Sequence, residues 1–80
     1  MDTKGYNIRP SKHFITKWMR NWDCDVQKLR QSLEEAHKVD KVGKTKYEAY
    51  SRIGGKSRKI IFVKDDEFKD IFIITGAEGK

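Results

Sequence analysis

The sequence predicts an α+β domain: two N-terminal helices packed on a three-stranded antiparallel β-meander, with room for a fourth strand. Three observations predict it. Apolar residues recur at helical spacing from Phe14 to Trp22 and again from Val26 to Ala36. Three runs rich in Ile, Phe, Val and Tyr follow, at Tyr47 to Ile53, Lys59 to Val63 and Ile71 to Thr75. Two connectors separate those runs: Gly54-Gly55-Lys56-Ser57, whose paired glycines suit a tight hairpin, and the polar cluster Lys64 to Phe68. Helices written before strands segregate to one side of an antiparallel sheet.

In chain order, residues 1–9 show no periodicity and are expected to be flexible or to lie loosely along an edge. Pro10 and Ser11 suit the start of a helix over 10–22. Phe14, Ile15, Trp18, Met19 and Trp22 make its apolar stripe, and His13, Lys17 and Arg20 fall together on the opposite side. Asp23 or Asp25 can cap a second helix over 26–37, which buries Val26, Leu29, Leu33 and Ala36. Residues 38–46 hold Gly43 and lysines without a sustained period and are expected to be a loop. The sheet is expected over 46–75, with Tyr47, Ala49, Ser51 and Ile53 on one face of its first strand and Glu48, Tyr50 and Arg52 on the other. Ile60 to Val63 is apolar on both sides, as a central strand should be. Residues 76–80 are a glycine-rich tail.

All 80 residues make one domain, and a chain of this length buries only about three-fifths of its unfolded surface. Net charge is +6, distributed as +4 over 1–22, −2 over 23–40, +6 over 41–59 and −2 over 60–80. Two basic blocks that converge in space would attract a polyanion through phosphate neutralisation and counterion release. The competing reading is an ordinary solvated surface. Cys24 is the only cysteine, which excludes an internal disulfide and a cysteine-based metal site. His13 and His37 lie in different helices, so no metal and no cofactor are expected. The acids cluster in 23–40 and 65–70 without forming a paired-carboxylate site. The apolar runs are far shorter than the roughly 20 residues that cross a bilayer, and the N-terminus lacks an apolar leader. No membrane partner and a cytoplasmic location are therefore expected.

A histidine at the start of the first helix, a basic residue four positions later, a capped second helix and a meander whose apolar last strand carries a threonine together resemble a family of small domains related to the RelE, ParE and BrnT toxins, in the wider group of barnase, EndoU and colicin ribonucleases. The resemblance covers roughly 13–75. The family pattern places arginine at the fourth and eighth positions after the histidine and then glycine; this chain has Lys17, Asn21 and Trp22, with Arg20 one position early. The resemblance implies a RelE-like fold and a toxin-type, metal-independent ribonuclease in which a 2′-hydroxyl attacks the adjacent phosphate. It implies RNA, including ribosome-bound mRNA, as substrate and an antitoxin protein as partner.

On that reading His13 is the acid or base, because histidine is the residue type suited to proton transfer near neutral pH and His13 is the well-placed one. Arg52 and Arg58, flanking the Gly54-Gly55 turn, and Lys46 supply a cationic clamp. Tyr47 or Tyr50 stacks on a base or donates to phosphate, while Lys17, Arg20 and Lys56 contact the backbone. Each has a plain structural alternative. His13 can be an exposed helix-end residue, and Lys17 and Arg20 a solvated face. One of Tyr47 and Tyr50 should be core, as should Trp18 and Trp22. Two other function classes remain open: a non-catalytic RNA- or DNA-binding module, and a protein-interaction domain that uses Trp22 or an open sheet edge.

Overall fold

In the computed structural model, which describes residues 1–78, five strands form one mixed sheet in the order β1-β5-β4-β3-β2. β1 (Asn7–Pro10) precedes the helices, and β2 (Lys38–Lys41), β3 (Lys46–Ile53), β4 (Lys56–Asp65) and β5 (Asp70–Glu78) follow them. β1 runs parallel to β5, and the remaining neighbours are antiparallel. This overturns the expected RelE-like arrangement of two N-terminal helices on a three-stranded antiparallel meander. β3, β4 and β5 form the centre, and a short edge strand is added on each side. Neither edge strand announces itself by alternation. In β2 no residue is buried, so backbone pairing to β3 rather than apolar burial holds it, and in β1 only Ile8 reaches the core. The expected loop 38–46 therefore contains a strand. β5 likewise continues through Gly76 to Glu78, where a tail was expected; residues 79–80 lie outside the described residues.

The first helix, α1 (12–22), begins later than expected because Pro10 closes β1. Ser11 caps it: its hydroxyl accepts from the Phe14 N–H at 3.0 Å. The stretch Phe14–Met19 is wound as a π-helix, flanked by α-helical backbone at 12–13 and at Arg20–Trp22. The stripe drawn with α-helical spacing is accordingly split: Phe14 and Trp22 are buried, whereas Ile15 is 46% exposed. Asp23 takes the left-handed conformation, φ 51°, so that the Cys24 N–H reaches Met19 O at 3.0 Å and ends the helix. Asp25 caps α2 (Val26–Glu34) by accepting from the Lys28 N–H at 2.8 Å. α2 ends before His37, whose N–H donates instead to Tyr50 O at 3.0 Å.

Both helices lie on the sheet face that carries Ala49, Ile53, Ile60, Phe62, Ile71 and Ile73, and these join Ile8, Phe14, Trp22, Leu29 and Leu33 in one core. Each fully buried Leu, Ile or Phe contributes about 1.5–3 kcal/mol. The N-terminal segment is tied in as well. Arg30 on α2 donates to the carbonyls of Thr3 and Tyr6, each at 2.8 Å, and Thr3 is fully buried. No helix of the described residues is long and apolar enough to cross a membrane.

Candidate nucleic-acid interface

A β-bulge in β5 sets the geometry of the site. Phe62 pairs with Ile73 but Ile61 pairs with Thr75, which makes Ile74 the extra residue. Ile71 and Ile73 face the core, and simple alternation would carry Thr75 there too. The inserted Ile74 turns Gly76 inward instead, opposite Ile60, and frees Thr75 to meet α1. Gly76 is required at that point because a Cβ there would stand 2.6 Å from Trp22 Cη2 and 3.1 Å from Phe14 Cε1. Ser11 locks the bulge to the helix, since its hydroxyl donates to Ile74 O at 2.7 Å while it caps α1.

Thr75 Oγ1 then gathers two side chains from α1. The Trp18 indole N–H donates to it at 3.2 Å, and His13 Nε2 lies 3.1 Å away. Lys17 Nζ sits 5.0 Å from the centre of the Trp18 ring. Lys12, His13, Lys17 and Arg20 are all exposed, and no acid occurs between Lys12 and Trp22. Among the described residues none of these four takes part in an ion pair, whereas Arg9, Lys38, Arg58, Lys59 and Lys64 each face a carboxylate. The outward surface of α1 is thus a cationic strip with a histidine and a half-buried tryptophan fixed on one threonine.

The structure does not bring the sequence-predicted residues to one site. His13, Lys17 and Arg20 share α1. Arg52 and Arg58 occupy adjacent strands, but Ser51 is the partner of Arg58, so the two arginines point to opposite faces. Arg58 is 8% exposed, with Cζ 5.1 Å from the centre of the Trp22 ring and Nε 3.6 Å from Glu78. Arg52 is spent on its own hairpin, donating to Gly55 O at 3.0 Å. Tyr47 stacks on Phe62 at 5.5 Å on the core face, while Tyr50 lies on the opposite face between Lys38 and Lys59. Lys46 and Lys56 are exposed at the two ends of that strand pair. Sequence reasoning missed Lys12, Trp18 and Thr75 as members of the site. A lone threonine closing an otherwise apolar strand was the only signal for Thr75.

Away from α1, hydrogen bonds from Arg9 hold the Asp70 carboxyl below its usual range, and those from Tyr6 and Lys64 do the same for Asp66. Burial, then the neighbouring Asp25, pushes the Cys24 thiol up, away from a reactive thiolate. Among the described residues no group of three or more His, Cys, Asp and Glu side chains could hold a metal ion. No family model, curated protein or solved structure matches this chain.

Proposed function

We propose that this protein binds RNA through the outward surface of α1. One observation carries the reading: Lys12, Lys17 and Arg20 are exposed on a helix without acids and without ion pairs, beside His13 and Trp18 anchored on Thr75. Cations that no protein carboxylate neutralises keep their full attraction for phosphate and release counterions on binding. Trp18 offers a ring edge next to them for contact with a base. Titration of a single-stranded RNA at low and moderate salt tests the reading. Affinity should fall steeply with salt, and a flat salt dependence would remove it.

A second reading, cleavage, is favoured by the exposed His13 held at Thr75. In it His13 takes the proton from a ribose 2′-hydroxyl, the 2′-oxygen bonds to phosphorus, and the bond to the 5′-oxygen breaks with a proton supplied by solvent. The products are a 2′,3′-cyclic phosphate and a 5′-hydroxyl end, with Lys17 and Arg20 beside the charge that develops on the phosphoryl oxygens. Arg52 and Arg58 have no part in this version, because one is bound to its hairpin and the other is buried. Incubation with RNA and end-group mapping separates the two readings: binding without new ends supports the first alone.

A further inference from the structure

We propose that β2 is the contact strand of a symmetric dimer, in which two copies of this chain pair edge to edge with Val39 opposite Val39. β2 ends the sheet, and Val39 within it and Val42 just past it are the exposed apolar residues of this edge, 38% and 48% exposed. The peptide groups decide which residues can pair. The Val42 N–H donates inward to Lys46 O at 2.9 Å. Ladder bonds alternate along an antiparallel strand, so Asp40 also turns its peptide groups to β3, and Val39 and Lys41 present theirs to the open edge.

A second copy related by a two-fold axis can pair only where outward groups meet outward groups, and charge then selects among those registers. Centring the axis on Asp40 sets Asp40 against Asp40. Centring it on Lys41 sets lysine against lysine, and centring it on Lys38 does the same. Centring it on Val39 sets Lys38 opposite Asp40 twice on one face of the strand and brings the two valines into contact on the other. Lys38 and Asp40 already lie on one face of the strand, 3.5 Å apart, so the dimer would carry four charges of alternating sign. The lysines that would repel an unrelated strand at this edge are therefore accommodated in one register. The inference does not depend on RNA binding, because α1 packs against β5, and β4 and β3 separate β5 from the β2 edge.

The test is the mass of the full chain in solution across a concentration series, by sedimentation equilibrium. Wild type should approach twice the monomer mass as concentration rises. Asp40→Lys places like charges opposite each other at both symmetric positions and should weaken association about tenfold or more. Lys38→Glu combined with Asp40→Lys restores opposite charges in the same register and should restore the dimer. Val39→Pro removes the outward N–H without touching the bonds to β3 and should leave a folded monomer by circular dichroism. Wild type that stays monomeric throughout, or an Asp40→Lys variant that associates like wild type, would overturn the proposal.

Discussion

His13 and Thr75 meet at 3.1 Å across 62 positions of sequence, from the first turn of α1 to the bulged half of β5. Thr75 reaches the helix because Ile74 is an extra residue in the ladder and Ser11 binds the Ile74 carbonyl. The exposed histidine is thereby fixed relative to Trp18 and to the cations around it.

Thr75→Val keeps the shape of the side chain and removes the oxygen shared by His13 and Trp18. The expected cost is about 0.5–1.5 kcal/mol in urea unfolding, with an unchanged slope. RNA affinity should also fall, and Thr75→Ser should restore both.

Gly76→Ala places a methyl against Trp22 and Phe14, where the inward turn after the bulge leaves no room. Overpacking of this kind costs about 1–3 kcal/mol. The drop in the denaturation midpoint should come with a change in tryptophan fluorescence, because Trp22 must shift.

The centre of the sheet was legible in the sequence because its strands are runs rich in Ile, Phe, Val and Tyr set apart by turn residues. Ala49 and Ile53, Ile60 and Phe62, Ile71 and Ile73 all face the core. The paired glycines also marked their turn, with φ of 65° and 83° at Gly54 and Gly55. The edge strands were not legible, since backbone pairing makes Lys38–Lys41 a strand while its side chains stay in water. Nor was the π-helical winding, which rotates Ile15 off the apolar stripe. His13, Lys17 and Arg20 could be read as a cationic helix face, but Thr75 could not be joined to them. The bulge that aims it depends on pairing with a strand ten or more residues away. Arg52 and Arg58 looked like a clamp because they flank a turn; the hairpin register puts them on opposite faces.

That register yields a contrast between two arginines. Arg58→Ala removes a buried guanidinium from the Trp22 ring and should destabilise the fold by about 2 kcal/mol. Arg52→Ala, which loses one exposed bond to Gly55 O, should cost about 0.5 kcal/mol or less. RNA titration of both variants under conditions where they are folded should give wild-type affinity.

Acid should loosen the N-terminal edge first. Asp70 and Asp66 both titrate below the ordinary carboxylate value of 3.8 because Arg9, Tyr6 and Lys64 bond to them. A depressed folded pKa favours the folded chain above the unfolded value, and the advantage disappears as pH falls through the lower folded value. The denaturation midpoint should therefore decline as pH is lowered through about 4 and beyond, and Asp70→Asn should flatten that decline. Asp66 is exposed and Asp70 half-buried, so added salt should reduce the effect, more at Asp66 than at Asp70.

The most direct test of RNA binding by α1 is the salt dependence of affinity for a single-stranded RNA, compared between wild type and Lys12→Gln/Lys17→Gln/Arg20→Gln. These three side chains are exposed, and the only contact given for them within the fold is that of Lys17 with the Trp18 ring, so the variant should unfold within about 1 kcal/mol of wild type. Binding should be much weaker, and the slope of log affinity against log salt should be smaller by about two to three. Equal affinity and equal slope in the two proteins would contradict the assignment of RNA to this surface.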